Sequence, residues 1–191
     1  KDVVAYVLPN CNETAITLLG GGVAGIANPI NPLLDAEQIG SILRETGASV
    51  VVTLRPFPKT DVAEKTAEAV KLAPGVHTVL EVDLVRYLTP PKSWIVPLVR
   101  PKNEGGRHHA AVLGFNKTLK KAPRSFAFAD STRGRVSASF PHGGTPGQPA
   151  AGAHRQSGRL PQRLVGGALP SPPSSTAICA VAVVTVLSRR C

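Results

Sequence analysis

The first eighty or so residues alternate between short apolar runs and amphipathic segments, and that rhythm most constrains what this chain can fold into. Val3-Val-Ala-Tyr-Val-Leu8 is β-branched, uncharged and closed by Pro9, the pattern of a buried strand. Asn10, with Glu13 three residues on, has capping-box spacing and opens a helix carrying Ile16 and Leu19. Gly20-Gly-Gly22 is expected to end that helix. A second strand follows at Val23 to Ala27, then a turn at Asn28-Pro-Ile-Asn-Pro32. Asp35 and Gln38 cap a helix whose Ile39, Ile42 and Leu43 share one face, and Gly47 stops it. Ala48 to Leu54 has the composition of a buried parallel strand. Thr60 precedes a third helix with Val62, Thr66, Ala69, Val70 and Ala73 on one face, ended by Pro74-Gly75. His77 to Val82 is the fourth strand. This β-α-β-α-β-α-β order with short connections predicts an α/β fold with parallel strands and right-handed crossovers.

Beyond residue 83 the periodicity loosens. We divide the chain into an α/β parallel-sheet unit (1–83), an irregular crossover region (84–133), a glycine-rich loop region (134–169) and a low-complexity tail (170–191). Within the second, Trp94 is expected to anchor a proline-rich surface segment over Leu88 to Arg100, and Phe115 to Leu119 to form a helical turn. Arg135 to Phe140 reads as the strand feeding the loop. In the tail, Pro170-Ser-Pro-Pro-Ser-Ser175 leads into a small apolar run, Ala177 to Leu187, and Lys, Asp and Glu vanish. That is the composition of a GC-rich coding region read out of frame, or of a Pro/Ser linker running into a short buried strand. The C-terminal region is therefore expected to be poorly ordered.

Charge is divided just as unevenly. Residues 1–83 carry six Lys/Arg against ten Asp/Glu, residues 84–191 sixteen against two, and the whole chain +10. Such asymmetry suits a basic arm for nucleic acid or an anionic membrane. Past Phe140, however, no aromatics are interleaved to stack on bases, so the pattern does not point to nucleic acid. Cys11, Cys179 and Cys191 have neither metal-ligand nor disulfide-framework spacing, which with no secretory signal fits a reducing cytoplasm. His108, His109, His142 and His154 lack an Asp, Glu or Cys placed to join them, and no metal site is expected. The run Ala177 to Leu187 is shorter than the about twenty residues needed to span a bilayer, so no membrane span is expected. The opening, directly on a strand, reads as the middle of a domain.

Chemistry is implied at one stretch, Phe140-Pro-His-Gly-Gly-Thr-Pro-Gly-Gln-Pro-Ala150. Gly143, Gly144 and Gly147 around the Thr145 hydroxyl permit close backbone approach, so that N–H groups can cradle phosphate oxygens. A plain Gly/Pro surface turn is the other meaning of such a string. It is not a Walker loop, which needs Lys-Ser/Thr after the last glycine. The stretch resembles the ATP-phosphate loop of AMP-forming acyl-CoA synthetases, the adenylate-forming ligase superfamily, with its Thr-Ser/Gly-Gly-Thr/Ser-Thr-Gly-x-Pro-Lys signature. Gly143, Gly144, Thr145, Gly147 and Pro149 match; His142 and Pro146 stand where threonines are usual, and Ala150 where the lysine belongs. Val3 to Asn10, Ala24 to Pro32, Gly47 to Thr53, Ala127 to Asp130 and Gly166 to Leu169 are also similar to that family's N-terminal half.

The resemblance implies a fold like the N-terminal domain of these enzymes and a reaction in which ATP, a fatty or other hydrophobic carboxylate and CoA give acyl-CoA, AMP and pyrophosphate. It implies ATP, Mg²⁺ and CoA as cofactors or partners, with Gly143, Gly144, Thr145 and Gly147 as phosphate-binding positions and no catalytic residue within this chain. The family's further motifs have no counterpart in it, so these 191 residues alone are expected to be inactive. The alternative is a non-catalytic α/β binding module whose basic tail contacts polyanions.

Overall fold

The computed structural model describes residues 2–101, 108–122, 136–142 and 150–155; in the last two ranges side chains are described only for Ala138 and Ser139. The elements are β1 (Val3–Val7), α1 (Asn12–Ala24), β2 (Ile26–Pro29), α2 (Ala36–Thr46), β3 (Ala48–Leu54), α3 (Val62–Lys71), β4 (Thr78–Val82), a 3-10 turn (Leu84–Tyr87), α4 (Lys92–Leu98), β5 (Ala111–Gly114), α5 (Phe115–Lys121), β6 (Val136–His142) and β7 (Ala150–Arg155).

The strands form one seven-stranded sheet in the order β5-β4-β3-β1-β2-β6-β7. Neighbours from β5 through β6 pair in parallel, and β7 closes the edge antiparallel to β6. From β1 the chain steps one way to β2, then crosses back over β1 to β3 and onward to β4 and β5. With right-handed crossovers, α1 covers one face while α2 and α3 cover the other. Both faces being covered explains why β1 and β3 are continuous apolar runs rather than alternating ones. All five residues of β1 are buried, and so are Val50, Val51, Val52, Thr53 and Leu54 of β3. Ile39, Ile42, Leu43, Val62, Ala69 and Val70 seal the α2–α3 side. Thr66, wholly buried in α3, donates to the Val62 carbonyl at 2.7 Å and pairs with Thr53 of β3 at 3.1 Å.

The predicted parallel order, four strands and three helices of residues 1–83 are present, but β2 is shifted from the expected Val23 to Ala27: Val23 and Ala24 belong to α1, and the strand takes in Asn28 and Pro29 instead of leaving them to the turn. Asp35 accepts from the Gln38 N–H at 2.8 Å while the Gln38 side chain accepts from the Asp35 N–H, so the α2 capping box is complete. Gly47, with φ of 64°, terminates α2.

Three further expectations are corrected. The Asn10/Glu13 capping box does not form: Cys11 is the α1 N-cap, without a side-chain cap bond, and Glu13 turns inward. Gly20-Gly-Gly22 does not end α1, which continues to Ala24. A Cβ at Gly21 would lie 3.3 Å from Ala27 Cβ and 3.6 Å from Val4 Cβ, so the missing side chain lets the helix lie close on β1 and β2. Trp94 is no anchor: it lies in α4 with 70% of its surface exposed. Residues 84–122 also hold β5, a strand without a sequence signal, and α5 runs from Phe115 to Lys121. The Ala127 to Asp130 and Gly166 to Leu169 similarities and the tail lie outside the described residues.

Candidate functional site on the carboxyl rim of the sheet

Parallel strands deliver every βα connection to one rim, and in open α/β sheets ligands bind there, by the point where strand order reverses. In this sheet the reversal falls between β1 and β3. The rim carries the Pro9–Cys11 turn after β1, Arg55 after β3, Asp83 to Tyr87 after β4, Asn116 after β5, and the β6–β7 connection.

That last connection is the glycine-rich stretch. His142 at the end of β6 pairs with Ala150 at the start of β7, and β6 runs parallel to β2, so these two flanking residues lie at the carboxyl rim. Gly143, Gly144, Thr145 and Gly147 themselves lie outside the described residues. His142 and Ala150, two of the positions that depart from the family's signature, are directly opposite each other in the hairpin.

Further along the rim is a group of polar residues that sequence reasoning missed. Glu13, in the first turn of α1, is wholly buried. Arg86 Nη1 donates to its Oε1 at 2.8 Å and the Tyr87 hydroxyl to its Oε2 at 2.8 Å. Arg86 Nη1 also reaches Asn116 Oδ1 of α5 at 2.6 Å. The buried carboxylate thus ties α1 to the 3-10 turn across more than seventy residues of chain, and Arg86 carries the link on to α5. Beneath it, Thr14 Oγ1 donates to the Pro9 carbonyl and lies 3.3 Å from Cys11 Sγ. Burial raises the Tyr87 hydroxyl pKa, and its hydrogen bond to the Glu13 carboxylate and that group's charge raise it further. Tyr87 is therefore held as a proton donor. No local pattern announced this arrangement, because Glu13 and its partners are distant in sequence.

The second group lies at the ends of β3 and β4. Asp83 accepts from the Val85 N–H at 3.1 Å, from Arg100 Nη2 at 2.9 and 3.0 Å, and from Arg55 Nη1 at 3.3 Å. Burial pushes the Asp83 pKa up, but the Val85 N–H, the Arg100 hydrogen bond and the charges of Arg100 and Arg55 outweigh it and hold the carboxyl below its usual value. Glu81 goes the other way: burial raises it, Arg55 and Arg100 oppose the rise, and Asp83 adds to it. Asp83 is neutralised by Arg55 and Arg100, which suits joining of strand ends better than proton transfer. His109 Nε2 is 2.7 Å from the Val76 carbonyl, and burial lowers the His108 pKa, with the neighbouring His109 charge reinforcing it. Among the described residues no group of three or more His, Cys, Asp or Glu could hold a metal ion, and no helix is long and apolar enough to cross a membrane.

These features define an open, doubly wound α/β domain whose carboxyl rim carries these polar groups and the paired His142 and Ala150. No family model matches the chain. The marinolic acid–CoA ligase of Pseudoalteromonas sp. (strain SANK 73390) is 30% identical over 159 residues, 82% of this chain and 21% of that protein. The long-chain-fatty-acid–CoA ligase of Bacillus subtilis (strain 168) is 35% identical over 101 residues, 52% of this chain and 17% of the relative. Among solved structures, the adenylation domain of a carboxylate reductase from Mycobacterium chelonae superposes with a TM-score of 0.62 at 17% identity, covering 97% of this chain and 30% of that one. A luciferase-like enzyme from the mealworm Zophobas morio gives 0.55 at 13% identity, over 96% of this chain and 40% of that one; at such identities these structures speak for the fold. The chain is thus similar to acyl-CoA ligases in sequence and to adenylation domains in fold, and it spans about a fifth of the length of the ligases it matches.

Proposed function

We propose that this chain is the part of an AMP-forming carboxylate–CoA ligase that carries the ATP-phosphate loop, and that it does not catalyse the reaction alone. The observation that supports this reading is that His142 and Ala150, the residues flanking the glycine-rich stretch, pair at the ends of β6 and β7 in a sheet whose fold is that of adenylation domains. The donor set suits phosphate: the N–H groups of Gly143, Gly144 and Gly147 and the Thr145 hydroxyl offer hydrogen bonds to non-bridging oxygens. Phe140 to Ala150 contains no carboxylate, so this stretch supplies no acidic ligand to Mg²⁺. In the ligase reaction a carboxylate oxygen attacks the α-phosphorus of ATP and pyrophosphate leaves; the CoA thiol then displaces AMP.

Charge builds on the β- and γ-phosphates as pyrophosphate departs, and preorganised donors must meet it. Pro146 has neither the N–H nor the hydroxyl found there in the family, and Ala150 lacks the cation. Losing one preorganised donor costs roughly 10²–10³ in rate, which supports the inactive reading. The acyl substrate by this reading is a fatty or other hydrophobic carboxylate, and the compartment the cytoplasm.

The test is nucleotide-dependent stability. A ligand that binds only the folded chain stabilises it by RT ln(1 + [L]/Kd). Millimolar ATP should raise the melting temperature of the full chain, and Gly144→Val should abolish the rise. The second reading, a polyanion-binding module, draws on the sixteen basic and two acidic residues after residue 83. It predicts no response to ATP and a steep loss of heparin binding with salt.

A further inference from the structure

We propose that His108 is an acid-sensitive latch on the β5 edge of the sheet: protonating its imidazole releases β5 and α5 from β4 while the other strands stay paired. Little holds this edge in place. β5 is four residues long, exposed throughout, and among the described residues it pairs only with β4. Between His108 and Ala122 only Ala110 and Phe115 are buried. The entry to β5 is fixed by two contacts: His109 Nε2 donates to the Val76 carbonyl at 2.7 Å, and the Ala111 N–H donates to the His77 carbonyl at 2.9 Å. An exposed edge element of this kind opens locally, well below the cost of global unfolding.

His108 stands at that entry with its Nδ1 buried and, among the described residues, without a hydrogen-bond partner. A neutral imidazole can leave Nδ1 as a bare acceptor, whereas an imidazolium must place an N–H there with no acceptor to receive it. The charges that act on the ring are cationic: His109 beside it, and Lys71 at the end of α3, whose ammonium is 2.8 Å from Glu68. His77, leading into β4, is the other titratable side chain of the adjoining backbone. Burial does most to hold the His108 pKa below its ordinary value; the His109 and Lys71 charges add to this, and a backbone hydrogen bond at Ala110 opposes it. The opened edge therefore binds the proton more tightly than the closed one. The latch is complete above the ordinary histidine pKa and is lost as pH falls through the lower folded value. Because α5 leaves with β5, Asn116 is drawn away from Arg86, so acid at the amino end of β5 is felt by the Glu13 group on the opposite rim. This device does not depend on the phosphate-loop reading.

Amide hydrogen exchange of the full chain, corrected for the intrinsic rate at each pH, tests the latch at about pH 7.5 and about pH 5. Expected is a loss of protection across Ala111 to Lys121 at the lower pH while β1 and β3 stay protected. His108→Gln, which keeps a neutral polar side chain, should show no such pH dependence. In the wild-type chain the His108 ring, followed by NMR, should titrate below the ordinary histidine value. Protection that does not change with pH overturns the proposal, and so does an equal loss in His108→Gln. A loss shared equally by β1 and β3 overturns it as well, because the whole sheet would then be unfolding. If His108→Gln does not fold, the wild-type ring decides: titration at or above the ordinary value overturns the proposal, and titration below it, in step with the β5 loss, upholds it.

Discussion

Removing Arg86 should unfold this domain more readily than the exposure of that side chain suggests. Glu13 keeps 1% of its side-chain surface and each of its oxygens accepts one 2.8 Å bond, whereas Arg86 is 52% exposed. Breaking a buried ion pair by deleting one partner costs about 3–5 kcal/mol, because a carboxylate is left desolvated and uncompensated. Water reaching the outer half of the Arg86 site and the retained Tyr87 hydroxyl reduce this, and we expect about 2–4 kcal/mol for Arg86→Met. Glu13→Gln removes the charge while keeping an acceptor for Tyr87, and should cost about 1 kcal/mol. In that background Arg86→Met has no stranded charge to leave behind and should cost less than about 1 kcal/mol. The coupling read from the double-mutant cycle is then at least about 1 kcal/mol, measured by urea denaturation of the full chain. Equal costs of Arg86→Met in the two backgrounds would refute the claim that a buried charge is what joins α1 to the β4 end.

Gly25→Ala should destabilise by about 2–3 kcal/mol in thermal melts, since its Cβ would sit 2.2 Å from the Asp2 carbonyl oxygen, forcing β1 and β2 apart. Wild-type stability would contradict that approach. Asn28 is wholly buried, donates to Thr46 Oγ1 at 3.2 Å and leaves its Oδ1 buried without a partner among the described residues. The nearly isosteric Asn28→Leu removes that orphan and should match or exceed wild type, while Asn28→Asp should lose about 2 kcal/mol or more. Asp83 is depressed in the folded state, so its contribution is present above the ordinary aspartate pKa and disappears as pH falls through the lower folded value. Asp83→Asn should therefore lose stability at neutral pH and converge on wild type once the pH has fallen below the depressed folded-state value; parallel pH profiles would contradict this.

How far the fold can be read from sequence depended on whether each cue was local. Ala48 to Leu54 was bounded to the residue because a strand buried on both faces shows as an uninterrupted β-branched run. The Asp35/Gln38 box was equally legible, its partners being three residues apart. Asn10 and Glu13 have the same spacing, yet Glu13 is drawn to Arg86 and Tyr87, so a tertiary ion pair overrode a local cap. The glycine triplet misled because glycine serves both helix termination and close helix–sheet packing, and only the position of Ala27 decides between them. Strand β5 is four residues long and exposed throughout, so it carried no burial pattern to detect. Of the candidate site, the glycine-rich stretch was visible in the sequence, while the position of its flanking His142 and Ala150 at the carboxyl rim and the Glu13 group required the sheet topology.

The central claim is that this chain carries the ligase fold and loop without the activity. Carboxylate-dependent exchange of labelled pyrophosphate into ATP, measured on the full chain with a long-chain fatty acid and Mg²⁺, tests it most directly. No exchange above the protein-free control is predicted, alongside ATP-dependent stabilisation of the fold. Exchange that requires the carboxylate and is lost in Gly144→Val would contradict the account and make these 191 residues an adenylating enzyme in their own right.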